Sequence, residues 1–201
     1  MSFISAVLLG ILQGLTEFLP VSSSGHLVLA QHFFGVESSG DTLFEVFMHL
    51  GTLLAVLVFF RRRIQVLLVS LFSWKRTLRH EAHRRNRNVI LYLVCASLAT
   101  GLVYLLFGDL FEALYSRPLV VAFMLLVTGI VIFVSDRLRS GDIPASNMGV
   151  PRGIFIGLIQ GIAIIPGISR SGATIAGSLP AGLKRRDAAE CSFLLSIPAI
   201  L

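Results

Sequence analysis

Charge is what this 201-residue chain has least of: 14% of its residues are Asp, Glu, Lys or Arg, against roughly 25% in an average soluble domain. That scarcity, beside a hydrophobic share of 55%, argues against a soluble domain and for the membrane. Cysteine is nearly absent too. Cys95 and Cys191 both sit inside apolar runs, where a free thiol behaves as a small hydrophobe, so neither a disulfide framework nor a thiolate metal cluster is expected. No Lys or Arg precedes Arg61, which removes the positive start of a secretory signal and leaves the first apolar segment as a retained helix.

What is present is a series of apolar runs. Those at 43–60, 89–107 and 119–135 have the roughly 17–25 residues that cross a hydrocarbon core. Shorter runs at 3–19, 25–34, 153–165 and 174–183 are broken by Pro, Gly and Ser and read as half-membrane pieces, and 188–201 begins another span. Of the 17 Lys and Arg residues, nine fall in 61–87, three in 137–152 and three at 184–186. Loops rich in these residues stay cytoplasmic, so these segments are expected inside and 108–118, with Arg117 alone, outside. Within the first of them, 64–74 is too short to span and is flanked by cations, which predicts an interfacial helix. The net charge of +6 thus reflects orientation, and no nucleic-acid partner is expected. Glu37, Asp41, Asp109 and Glu112 fall in outside segments and read as solvated charge.

Sliding the sequence by 147 residues lays GILQGLTEFLPVSSSGHL, from Gly10, over GLIQGIAIIPGISRSGAT, from Gly157. Gly10, Gln13, Gly14, Ser22, Ser24 and Gly25 then match Gly157, Gln160, Gly161, Ser169, Ser171 and Gly172, and the same offset places Glu45 over Ser192, His49 over Ser196 and Gly51 over Pro198. The approach to Leu43 carries no cation and the approach to Ala188 carries three, so the copies are expected in opposite orientation. Inverted repeats with broken helices meet near the midplane and build a site there. The segments LPVSSSG and IPGISRSG should therefore face one another, since irregular backbone at that depth needs protein or a wet cavity around it. One integral membrane domain is expected, with a first repeat over about 1–140 and a second from about 150, cut short at 201.

The polar residues in these turns define the chemistry. In PGISRSGAT, Ser169, Ser171 and Thr174 offer hydroxyls, backbone N–H groups converge at a helix start, and Arg170 adds a planar fork of donors: an anion site. A guanidinium at membrane depth needs a wet cavity or an anionic partner; the partner is either a phosphate ligand or, internally, Glu17. The motif lacks the Gly-Lys-Ser/Thr ending of a P-loop, so a nucleotide triphosphatase is not supported. Gln13 and Glu17 stand four apart on one helical face. A carboxylate beside bound phosphates implies a shared divalent cation, since Mg²⁺ prefers one or two carboxylates plus phosphate oxygens and water, with Glu17 as ligand and Gln13 adding an amide oxygen; the alternative is a helix-end cap. His26 follows Ser22, Ser23 and Ser24, and beside a phosphate it can attack phosphorus or serve as acid or base for a serine or water, or be a hydrogen-bonded structural residue. Glu45 and His49 form another i, i+4 pair, either orienting the first turn or satisfying each other.

QGLTEFLPVSSSGHL and PGISRSGAT together resemble the two signature regions of the undecaprenyl-diphosphate phosphatase family, known also for bacitracin resistance, and the similarity runs through all 201 residues. The resemblance implies an all-α, polytopic enzyme of the bacterial inner membrane, with two inverted-topology repeats that each contain a re-entrant helix pair. It implies removal of the terminal phosphate of undecaprenyl diphosphate, returning a lipid carrier for peptidoglycan, with a divalent cation, Mg²⁺ or Ca²⁺. On the family motifs fall Gln13 and Glu17 as metal residues, His26, Ser23, Glu17 and Arg170 as catalytic residues, and Ser22, Ser169, Arg170, Ser171 and Thr174 as diphosphate-binding residues. Gln13 is the uncharged variant of its position. The site is expected to face the periplasm, membrane lipid surrounds the protein, and a homodimer is compatible with the resemblance. Similar proteins continue for several more helices, so C-terminal helices are expected to be missing here. The rival from another class is an inverted-repeat transporter or lipid-phosphate flippase, which would need no nucleophile.

Overall fold

A computed structural model describes residues 2–35, 42–72 and 81–201; for residues 42, 43 and 45 the backbone alone is described. The described chain is helical. Its elements are α1 (Phe3–Phe18), α2 (Ser23–Phe33), α3 (Thr42–Phe59), α4 (Arg61–Phe72), α5 (Glu81–Tyr115), α6 (Pro118–Arg137), a 3₁₀ turn (Ala145–Asn147), α7 (Gly149–Ile162), α8 (Arg170–Ser178) and α9 (Arg185–Ile200). Among the described residues the only β-type pairing is an isolated bridge between Ile143 and Leu183.

Helices α5 and α6 are long and apolar enough to cross a membrane, and only 28% and 17% of their most apolar windows are buried. Leu105, Leu119 and Phe3 are more than four-fifths exposed, at 82%, 85% and 83%. Apolar surface on this scale belongs against lipid, not water, and the protein is a membrane protein.

The interior contact between α5 and α7 is made by backbone. Gly153, Gly157 and Gly161 recur every four residues along α7, and a Cβ on Gly157 would lie 2.2 Å from the Ala96 carbonyl oxygen of α5. A Cβ on Gly161 would lie 2.5 Å from Val103. Without a water-driven hydrophobic effect between helices, small residues at such spacing let dispersion hold two helices together. Thr100 adds a hydrogen bond of 3.0 Å from α5 to the Gly157 carbonyl. Around this contact a core of Leu67, Val89, Tyr92, Met148, Ile156 and Leu195 joins α4, α5, α7 and α9.

On the basic side, Arg63 of α4 donates to Glu190 of α9 at 2.6 Å and to Asn86 of α5 at 3.0 Å. Its neighbour α9 is tied to α6, where Arg185 reaches the Leu138 carbonyl at 3.0 Å.

The segment expected as an outside loop at 108–118 is helical through Tyr115, and Asp109 and Glu112 stand on α5. Local contacts explain the extension: Phe107 stacks on Phe111, and Tyr104 donates to Glu112 at 2.8 Å, so nothing in the segment competes with the helix until Pro118 begins α6. The expected interfacial run at 64–74 belongs to α4, which starts earlier, at Arg61. Trp74, Glu37 and Asp41, and the side chain of Glu45, lie outside the described residues.

Candidate active site

Two turns meet in the interior, and each leads into a short helix. The first follows α1, which ends with Leu19 in extended backbone, the conformation that the following Pro20 imposes. Ser22 then caps α2, its Oγ accepting from Gly25 N–H at 3.3 Å. Ser22 has φ of +67°, a left-handed conformation that serine holds only under structural constraint. The second turn follows α7: Pro166 and Gly167, the latter with φ of +93°, form a tight turn closed by Ile168 N–H on the Ile165 carbonyl at 3.0 Å, the arrangement in which Gly is required at the third position. Ser169 caps α8, its Oγ accepting from Gly172 N–H at 3.1 Å.

Ser22 and Ser169, with Gly25 and Gly172, are the residues that the 147-residue offset aligns, and they do the same local work. The turns touch directly. A Cβ on Gly25 would lie 2.9 Å from Gly167 Cα.

At the meeting point stands Glu17, whose side chain is 9% exposed. Its Oε2 accepts from Ser23 Oγ at 2.5 Å and from Gln13 Nε2 at 3.1 Å. Its Oε1 accepts from Arg170 Nη2 at 2.5 Å. Ser23 and Arg170 are both the first residues of their helices, so positions that the 147-residue offset aligns converge on one carboxylate. The internal pairing that the sequence offered as an alternative to a ligand is thus made, and it uses one of the five N–H donors of the guanidinium. At the head of α8 the N–H groups of Arg170 and Ser171 have no intrahelical acceptor.

Glu17, Ser22, Ser23, Ser24, Ser169, Arg170 and Ser171 line one cavity of about 660 Å³. Thr174 does not line it: its hydroxyl is buried, bonded to the Arg170 carbonyl at 2.9 Å and to Ser192 at 2.7 Å, so it braces α8 from behind. His26 is also set back from the wall, with Nδ1 2.8 Å from the Ser22 carbonyl. A carbonyl only accepts, so Nδ1 carries the hydrogen and the neutral ring keeps its lone pair on Nε2.

The cavity is also lined by residues to which the sequence gave no site role, Ser97, Thr100 and Tyr104 of α5, Gln160 of α7 and Tyr115, and by His49 of α3, read from the sequence as orienting the first turn or pairing with Glu45. Ser97, Thr100 and Tyr104 sit at i, i+3 and i+7 in an otherwise apolar run, a polar stripe on one helical face. That spacing was the available signal.

The donor set fits a divalent cation of the kind completed by phosphate oxygens and water. Glu17 offers carboxylate lone pairs, and Gln13 Oε1 is buried with no hydrogen-bond partner, an unsatisfied acceptor beside that carboxylate. Among the described residues no group of three His, Cys, Asp or Glu side chains is placed to hold a metal ion by itself.

Fold and site together define an all-helical membrane protein whose partly open cavity, apolar over much of its wall, has a polar end that can receive an anionic group. Residues 6–201 match the family described as Bacitracin resistance protein BacA, and the chain belongs to that family. It is 47% identical over 211 residues to an undecaprenyl-diphosphatase of Methanobrevibacter smithii, covering 100% of this chain and 74% of that protein. Similarity to the undecaprenyl-diphosphatases of Desulfosudis oleivorans (44% identity, 98% of this chain, 74% of the relative) and Carboxydothermus hydrogenoformans (41%, 100% and 71%) is of the same order.

Proposed function

We propose that this chain hydrolyses undecaprenyl diphosphate to undecaprenyl phosphate and inorganic phosphate, regenerating a lipid carrier for peptidoglycan and conferring bacitracin resistance. The observation that carries the reading is Glu17 held between Ser23 and Arg170 on the cavity wall: a base, a hydroxyl and an anion-binding fork within one contact. Family membership supplies the substrate class.

In the proposed mechanism the terminal phosphate sits at the head of α8, where Arg170, the hydroxyls of Ser169 and Ser171, and the free N–H groups hold its oxygens. Ser22 borders it from the first turn. Ser23 is the group best placed to attack: its Oγ lies on the wall and its proton is already shared with Glu17, the arrangement of an activated nucleophile. As the new P–O bond forms, the bond to the bridging oxygen breaks and undecaprenyl phosphate departs with that electron pair. Water then releases inorganic phosphate from the enzyme. His26, with its basic nitrogen on Nε2, is the alternative nucleophile or the base for water. A cation at Glu17 and Gln13 would neutralise phosphate charge when bound. Positioned charge of this kind supplies most of phosphoryl-transfer catalysis.

The wider reading places the protein in the bacterial inner membrane, with inverted repeats whose short helices α2 and α8 are re-entrant. Tyr104 and Tyr115 border the cavity toward the end of α5 remote from the cation-rich segments, which supports an opening to the periplasm. The test is phosphate release from undecaprenyl diphosphate in detergent, by the wild type and by Ser23→Ala and His26→Ala. Release that either variant abolishes supports the reading; diphosphate bound but never hydrolysed by the wild type overturns it.

A further inference from the structure

Hydroxyls on the other helices mostly turn back on their own backbone: Thr16 donates to Leu12, Ser70 to Val66 and Ser97 to Leu93. Thr128, in the middle of the membrane-crossing α6, does not. Its Oγ1 donates to the Gly167 carbonyl at 2.8 Å and accepts from Ser169 N–H at 3.0 Å. It is 5% exposed, and both partners belong to the turn that precedes Arg170. The backbone of α6 presses on the same place: a Cβ on Gly167 would lie 2.5 Å from the Val121 carbonyl oxygen and 2.8 Å from Met124 Cβ. Leu125, one turn before Thr128, reaches the first turn, since a Cβ on Gly25 would lie 2.8 Å from its Cδ2.

We infer that Thr128 is a positioning residue for the phosphate site, the clamp that sets the direction in which α8 presents Arg170 and its leading N–H groups. The inference rests on the phosphatase reading and adds a residue on a helix that contributes no group to the cavity wall. One hydroxyl fills one donor and one acceptor of a buried, irregular turn. Removing it leaves the Gly167 carbonyl and the Ser169 N–H without partners at membrane depth, and a turn so released re-forms its bonds by rotating. Rotation at Ser169 moves the cap of α8, and with it the donors aimed at phosphate. Because such donors act on the charge of the transition state, the loss falls on turnover more than on capture of the long apolar substrate.

The experiment compares the wild type with Thr128→Val, which keeps the shape without the hydroxyl, and Thr128→Ser, which restores it. Phosphate release gives kcat and KM per folded protein, and inhibition by orthovanadate probes the anion seat. The expected result for Thr128→Val is a kcat lower by about tenfold or more, in keeping with the cost of misplacing catalytic groups. KM should stay within about twofold, vanadate inhibition should weaken in parallel, and Thr128→Ser should recover most of both. A folded Thr128→Val with unchanged kcat and vanadate inhibition overturns the inference, as does a loss that Thr128→Ser does not repair. Should Thr128→Val not fold, Thr128→Cys, of similar size and poor hydrogen-bonding power, takes its place with the same criteria. Absence of release from the wild type would sink the phosphatase reading instead; vanadate or phosphate binding to the two proteins would then decide the clamp by itself.

Discussion

Arg170 and Glu17, 153 residues apart in sequence, form an ion pair of 2.5 Å in the protein interior. The pair joins the two turns and fixes where the cavity has its polar end. Burial makes each member depend on the other: removal of one partner from a buried pair costs roughly 3–5 kcal/mol, because the remaining charge is stranded. Glu17→Ala and Arg170→Ala should each lower thermal stability in detergent, and the double variant should be more stable than the sum of the two losses predicts. A fully additive double variant would show that the pair is not coupled.

Arg170→Lys keeps the charge and discards the planar fork. Phosphate release should fall by about 10²–10³-fold, the range seen when a preorganised donor to a reacting oxyanion is lost. Full activity in this variant would remove Arg170 from the phosphate site.

Ser23 and His26 separate by the size of their effects. Ser23→Ala should reduce release by more than about 10⁴-fold, as nucleophile deletions do, and His26→Ala by about 10²–10⁴-fold, as for a general acid or base. If Ser23→Ala retains a hundredth of the rate, attack belongs to His26 or to water.

Chelation bears on the unsatisfied Gln13 oxygen. Release should cease with EDTA and return with Mg²⁺ or Ca²⁺, and Gln13→Leu should raise the cation concentration needed for half-maximal rate. An unchanged requirement in Gln13→Leu would leave Glu17 as the sole protein ligand.

Glycine positions along α1 and α7 should respond oppositely. Gly157→Ala forces a methyl against the Ala96 carbonyl and should destabilise the protein by about 1–3 kcal/mol, the usual cost of overpacking. At Gly10 a Cβ meets nothing within 4 Å, so Gly10→Ala should be neutral or stabilising by up to about 1 kcal/mol through helix propensity. Thermal melts of the two variants compare them directly.

Much of this was legible in the sequence because membranes impose simple rules. The runs at 43–60 and 119–135 reappear as α3 and α6 to within two residues, and the turns broken by Pro, Gly and Ser are the ones that meet. What the sequence hid has identifiable causes. Thr128 sits in a run so apolar that its hydroxyl gave no pattern, and its role arises only from a turn about 40 residues later. His26 stands three residues after Ser23 on the same face of α2, and its Nδ1 is engaged by the Ser22 carbonyl of the preceding turn, a contact that spacing among serines did not reveal. The extension of α5 past Gly108 depends on the Tyr104–Glu112 and Phe107–Phe111 contacts, which a loop prediction from charge could not anticipate.

Ser23 and Arg170 hold the same place in the two aligned stretches, and Glu17 has Ile164 as its counterpart. Two identical stretches would bring either two carboxylates or two guanidiniums to one meeting point, where like charges repel. A neutral junction therefore depends on the two aligned stretches differing, so that their likeness lies in the caps and glycines that shape the turns and their difference in the side chains that form the ion pair.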